Sequence, residues 1–199
     1  MHAINTTPGF IIDSRPYGEA GKILSLFTRD FGLVSAVAQG SRLEKSQLRY
    51  FAQDHSLGVY SLVRGREFWR LTSAQSPVGN ENDEQTSIMS VRSKLVGRVS
   101  LLLKRLLQGE EPHPELFGRV GVLLAFLAEN SDLNVDEIQT LESLTVLRIL
   151  RSLGYVGDDG GLAELADSQE LSRDLIKTVA AKRLAMNRHI NKALKESHL

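Results

Sequence analysis

Cysteine is missing from this chain of 199 residues. Its absence excludes disulfides, thiolate zinc sites and cysteine nucleophiles at once. Net charge is missing as well, since 24 Lys and Arg balance 24 Asp and Glu. No apolar run approaches the length of a membrane span. The five histidines (His2, His55, His113, His189 and His198) include no i, i+4 pair and no adjoining carboxylate cluster. No metal site is therefore expected, and no cofactor is implied. The opening residues MHAINTTPGF carry no basic stretch followed by an apolar one, so they predict no signal peptide. A cytoplasmic protein is the expectation. No nucleophile–base constellation stands out, and the Ser and Asp positions read as turns and caps, so an enzyme is not expected.

What is present belongs to an ordinary globular protein, with 42% hydrophobic and 24% charged residues in a chain long enough for one domain or two small ones. The zero net charge conceals three blocks. Residues 1–80 hold 9 Lys/Arg against 6 Asp/Glu, residues 81–170 hold 8 against 16, and residues 171–199 hold 7 against 2. Basic blocks at both ends suggest two faces for a polyanion. Nine of the twelve aromatics precede residue 80, a bias that strands alone also produce.

The stretch GEAGK (18–22) superficially resembles a phosphate-binding loop. That loop needs G-x-x-x-x-G-K-[ST], with a hydroxyl to hold magnesium. Here Ile23 follows Lys22, and Pro16 occupies the position of the first glycine. A turn between two strands is the better reading.

Five short strands are predicted over residues 9–15, 22–28, 33–38, 57–63 and 67–72, separated by turn signals and by one long polar connection at 42–49. That pattern fits a five-stranded barrel of the OB type, with a sandwich as the alternative. The polar stretch PVGNENDEQT (77–86) marks a domain boundary. Two domains are expected: an OB-fold nucleic-acid-binding domain over 1–78, and an all-α domain over 79–199 that includes a basic terminal helix. The class is α+β. Helical spacing places Ile88, Val91, Leu95, Val99, Leu102, Leu103 and Leu106 on one stripe, and Leu116, Phe117, Val120, Leu123, Leu124 and Leu127 on the next. Asn134 and Glu137 form a capping box ahead of Ile138, Leu141, Leu144, Leu147 and Leu150. Residues 157–161 read as a glycine-rich loop. The last helix runs from Leu171 to about Lys195, with Leu175, Ile176, Val179 and Leu184 inward.

The runs FIIDSRPYGE (10–19), LFTRDFG (26–32) and VAQGSR (37–42) resemble the amino-terminal barrel of the recombination mediator RecO. LRSLGY (150–155) is similar to that family's helix ending in L-G-Y, and HINKALKES (189–197) to its carboxy-terminal segment. The likeness implies a non-enzymatic protein of DNA repair in the bacterial cytoplasm, at the nucleoid. Such a protein binds single- and double-stranded DNA and anneals complementary strands. With RecR it promotes RecA loading onto DNA covered by single-strand-binding protein, whose acidic tail is a further partner. Many relatives carry a cysteine zinc module after L-G-Y, where this chain has only the cysteine-free stretch 156–169. Val146 stands where an acidic residue is usual, so no partner-binding residue is carried over from that helix.

An OB barrel holds a strand by a cationic groove and by aromatic faces on which bases stack. The candidates are Arg42, Lys45 and Arg49 on the long connection, and Arg64, Arg66 and Arg70 around the last hairpin. Trp69 is the favoured stacker, core burial being the alternative; Tyr17, Phe27 and Phe31 are assigned to the core. Lys192 and Lys195 would supply a second contact from the terminal helix, which otherwise packs on the acidic middle. About five neutralised phosphates would give a salt slope of roughly −3.5 on a single strand. An RNA-binding OB protein of translation and a scaffold without nucleic acid remain the competing readings.

Overall fold

The computed structural model describes residues 3–76, 91–157 and 161–197. The front of the chain makes five strands: β1 (Ile4–Tyr17), β2 (Gly21–Thr28), β3 (Gly32–Ala38), β4 (Leu57–Val63) and β5 (Trp69–Gln75). They form a closed barrel in the order β1-β2-β3-β5-β4. β1 serves two neighbours. Its first half pairs with β4 from Ile4↔Val63 to Phe10↔Leu57, and its second half pairs with β2 from Gly9↔Thr28 to Tyr17↔Gly21. A slip in register between Ile11 and Asp13 lets the strand bend from one partner to the other. A short parallel pairing, Ala36↔Trp69 and Val37↔Arg70, completes the ring. Closure removes the exposed sheet edge that would otherwise invite pairing with other chains.

β1 is twice the length the sequence suggests, because that reading stops at Pro8 and Pro16, which lack the ladder's N–H donor. The strand runs through both. GEAGK lies on the antiparallel β1–β2 hairpin, where Gly18 takes φ +59 in the turn and Lys22 opens no helix. Instead the Lys22 amine donates to the Ala52 carbonyl at 2.9 Å.

Alternating side chains point inward from every strand, so Ile11, Leu24, Leu26, Val34, Ala36, Tyr60, Leu62, Trp69 and Leu71 fill the barrel. The connection after β3 is less polar in effect than it reads. It contains α1 (Leu48–Phe51), and Leu48 and the following Ala52 pack against that core. The fully buried Tyr60 hydroxyl donates to the carbonyls of Ser56 and Phe51, and burial raises the phenol's pKa.

The helices are α2 (Val91–Leu106), α3 (Pro114–Glu129), α4 (Val135–Ser152), α5 (Ala163–Asp167), α6 (Arg173–Val179) and α7 (Arg183–Glu196). Contacts divide the chain into two compact units, Met1–Gln85 with Ser100–Phe117, and Thr86–Val99 with Gly118–Leu199. In the first unit, Leu33 donates its N–H to the Gly109 carbonyl at 3.0 Å, and Phe27 meets Phe117 edge to face at 5.5 Å. Lys104 pairs with Asp13.

The periodicity reading holds for α3, where all six expected residues are buried, and for α4, where all five are. In α2, Leu95, Val99, Leu103 and Leu106 are buried, Leu102 is half-buried, and Ile88 and the stretch 77–86 lie outside the described residues. The capping box forms as expected. Asn134 Oδ1 accepts from the Glu137 N–H, and Glu137 Oε2 accepts from the Asn134 N–H, both at 2.9 Å. Gly154, at φ +77, comes just after the end of α4.

Two readings need correction. The single terminal helix is broken by a 3₁₀ turn at Ala180–Lys182, which tightens the winding and shifts the phase of the residues beyond it. Leu184 is consequently 71% exposed, and Met186, Ile190 and Ala193 form the buried side of α7. The glycine-rich loop leads into α5, which periodicity could not detect in five residues; positions 158–160 lie outside the described residues. Two arginines hold this segment by its carbonyls and a third by a carboxylate. Arg119 donates to Ala166, Asp167 and Ser168, Arg148 to Leu165 and Glu170, and Arg151 bonds the Asp167 carboxylate. Burial lowers the Arg148 pKa to about 10, so the guanidinium stays charged at neutral pH.

This packing can be tested at two positions. At Gly32 (φ +67) an added Cβ would lie 2.2 Å from the Glu111 carbonyl oxygen. Gly32→Ala should lower stability by at least about 2 kcal/mol, read as a shift in the urea midpoint. Glu137 accepts from Arg173 at 2.7 and 3.0 Å, and this pair, with the Asn134 cap, holds its carboxyl below the usual glutamate range. A carboxylate with a depressed folded pKa stabilises above its unfolded pKa, and the contribution fades as pH falls to the folded value. Glu137→Gln keeps the reach to the cap but loses the charge. It should be less stable than wild type at pH 7, and the two should converge in acid below the usual glutamate range, measured by thermal melts across pH.

Candidate nucleic-acid interface

Three connections of the barrel lie against one another. The β1–β2 turn (18–20) accepts the chain leaving β3, for the Arg42 N–H donates to the Ala20 carbonyl at 2.9 Å and Arg42 Nη1 to the Glu19 carbonyl at 3.3 Å. The β4–β5 loop (64–68) reaches the end of β1, where the rings of Tyr17 and Phe68 stand 6.1 Å apart at 66°. The end of β3 meets the start of β5 at Val37 and Arg70. Between them opens a depression of about 890 Å³, lined by Tyr17, Val37 and the run from Val63 to Arg70. Its size falls within the ~300–1,000 Å³ typical of ligand sites.

Of the residues singled out in the sequence, Arg64, Arg66, Arg70 and Trp69 line this depression. Arg42 is exposed on the adjoining turn. Lys45 and Arg49 are exposed on the connection after β3, Arg49 within α1, and neither belongs to the lining. Lys192 and Lys195 are exposed on α7, in the other unit. Lys192 lines a separate hollow of about 50 Å³ with Tyr155, His189 and Glu196. Part of the basic terminal block is neutralised within its own unit. Arg173 pairs with Asp132 and Glu137, and Arg183 with Asp136.

The assignment of Trp69 as an exposed stacker is corrected, because its side chain is 4% exposed. Along β5, Trp69 and Leu71 point inward while Arg70 and Thr72 point out. The indole packs on Phe31 at 5.1 Å between ring centroids. Its Nε1 donates to Glu110 Oε1 at 2.9 Å, and the Arg64 guanidinium sits 5.4 Å over the ring. Both the edge and a face are therefore occupied. The i, i+2 apolar pair Trp69/Leu71 is the signal in the sequence for this inward direction.

Phe27 is core as expected, and Phe31 packs half-buried against the barrel's interior. Tyr17 is not core; it is 48% exposed beside the half-buried Phe68. The other residue hidden from the sequence is Glu110, whose Oε2 pairs with Arg64 Nη2 at 2.9 Å. It lies 46 positions beyond Arg64 in a breaker-rich stretch, and nothing local announces the pairing. Among the described residues, neither Arg66 nor Arg70 has an acidic partner. The lining thus presents two unpaired guanidinium groups and one committed one, against the single acid Glu67.

Among the described residues no group of three or more His, Cys, Asp or Glu could hold a metal ion, and no helix is long and apolar enough to cross a membrane.

Comparison with known proteins agrees with this architecture. Residues 1–77 match the family model described as "Recombination protein O N terminal". The chain is 32% identical over 155 residues to the DNA repair protein RecO of Alkalilimnicola ehrlichii, an alignment covering 74% of this chain and 58% of that protein. It is 33% identical over 146 residues to the RecO of Desulfitobacterium hafniense, covering 73% and 50%. With the RecO of a Polaromonas species it shares 28% identity over 185 residues, covering 92% and 70%. The chain thus spans between half and 70% of the length of these relatives. Barrel, sequence landmarks and relatives converge: the chain belongs to the RecO family.

Proposed function

We propose that the rim formed by the β1–β2 turn, the end of β3 and the β4–β5 loop binds nucleic-acid strands through their phosphates, in the service of DNA repair and recombination. The observation that carries this reading is the gathering of Arg64, Arg66 and Arg70 around one depression beside an exposed aromatic. OB barrels use this same surface, the loops after strands one and four, for oligonucleotides. Relatives named DNA repair protein RecO supply the biological setting.

In this reading the protein acts by holding strands and catalyses no covalent step. It binds single- and double-stranded DNA and anneals complementary strands. Together with RecR it promotes RecA loading onto DNA coated by single-strand-binding protein, in the bacterial cytoplasm at the nucleoid. Arg66, Arg70 and Arg42 take phosphates directly. Arg64 is engaged by Glu110, which occupies it much as a phosphate would. Lys45 and Arg49 would add contacts only for a strand that extends beyond the rim, and Lys192 and Lys195 would offer a second contact on the helical unit.

Three rim contacts correspond to a slope of about −2 for log affinity against log salt on a single strand. Fluorescence anisotropy with a labelled oligonucleotide, titrated from low to moderate salt, checks this value. Arg66→Glu with Arg70→Glu should weaken binding and flatten the slope to about −0.7, the value for one remaining contact. Binding indifferent to salt, or unaltered by the double reversal, contradicts the reading.

A further inference from the structure

The depression contains a feature that phosphate binding does not use. Tyr17 is the last residue of β1 and Phe68 the last before β5, so the backbone of the barrel fixes where both rings begin. Neither ring is a member of the barrel's buried cluster. They meet edge to face at 6.1 Å, an arrangement that leaves ring faces uncovered, and Tyr17 stays 48% exposed. Among the described residues the Tyr17 hydroxyl has no hydrogen-bond partner, so polar bonding does not account for its position. Two unpaired guanidinium groups, Arg66 and Arg70, share the lining. Exposed aromatic ring surface beside separate positive charges complements a ligand with planar π-faces and an anionic backbone.

From this geometry we infer that Tyr17 and Phe68 form a stacking seat for one unpaired base of a single strand, with Arg66 and Arg70 taking the flanking phosphates. The inference rests on the reading of the rim as a nucleic-acid interface, and adds that the rim distinguishes an open strand from a duplex. Bases in a duplex already have both faces stacked, so seating one requires pulling it out of the helix. A base in a single strand is available at once. The seat is tolerant of sequence, because every base has a π-face.

The test compares three labelled probes against the whole chain: a short oligothymidylate, an abasic strand of equal length and charge, and a duplex. Wild type should prefer the thymidylate to the abasic strand by about tenfold, within the ~5- to 150-fold range that one stacked base supports. Tyr17→Leu should erase that preference while leaving affinity for the abasic strand intact, and Tyr17→Phe should restore it. Retained abasic binding also shows that the variant is folded. Photo-crosslinking of wild type with iododeoxyuridine in the strand gives a readout free of any variant, and should map to Tyr17 or Phe68. Equal affinity of wild type for thymidylate and abasic strands overturns the seat but leaves phosphate binding standing. A preference that survives in Tyr17→Leu, or crosslinks confined to other residues, also overturns it. Binding of none of the probes removes the underlying interface and the seat with it.

Discussion

Two residue pairs close the barrel. Ala36↔Trp69 and Val37↔Arg70 are the whole of the β3–β5 ladder, and without them the sheet would stay open between its third and fifth strands. The same pairing fixes the side chains around it. Trp69 turns inward to fill the barrel and Arg70 turns out to the depression, because successive residues of a strand face opposite sides. The β4–β5 loop must then span from Val63 to Trp69 directly over this seam, carrying Arg64, Arg66 and Phe68 with it. Closing the sheet and building the candidate interface are thus one structural event.

Electrostatics refine what the topology places. Arg64 carries no free charge into the depression, since Glu110 pairs with it and also accepts from the indole of Trp69. That arrangement steadies the loop on the side where the barrel closes. Arg66 and Arg70 remain available. A similar economy operates in the helical unit, where acids at the start of α4 neutralise Arg173 and Arg183, and where arginines bonded to backbone carbonyls hold α5. In that part of the chain Arg119, Arg148 and Arg151 hold the segment.

Local patterns are legible in the sequence, and long-range partnerships are not. The strand read from Leu57 to Val63 has matching bounds. The six buried positions of α3 come from spacing alone, and the Asn134–Glu137 cap from chemistry four residues wide. The length of β1 escapes the sequence because proline is a reliable breaker only where a ladder donor is needed. The phase of the terminal helix is lost after its 3₁₀ turn, since a period of 3.6 cannot anticipate a change of winding. In the site, the arginines of the β4–β5 loop are found from their type and position in a hairpin. The direction of Trp69 depends on where β5 begins, and Glu110 on a contact across 46 residues. Tyr17 reads as core because an aromatic beside a strand usually packs; at the last position of β1 it meets Phe68 edge to face and stays 48% exposed.

The central claim is that the rim at the barrel's seam is the surface that meets nucleic acid. Hydrogen–deuterium exchange of the whole chain, with and without a saturating single-stranded oligonucleotide, tests it without altering a residue. The account predicts slowed exchange at residues 18–20 and 64–70, with little change in the buried strands. Protection confined to 43–51 or to α7, with the rim unchanged, would contradict it.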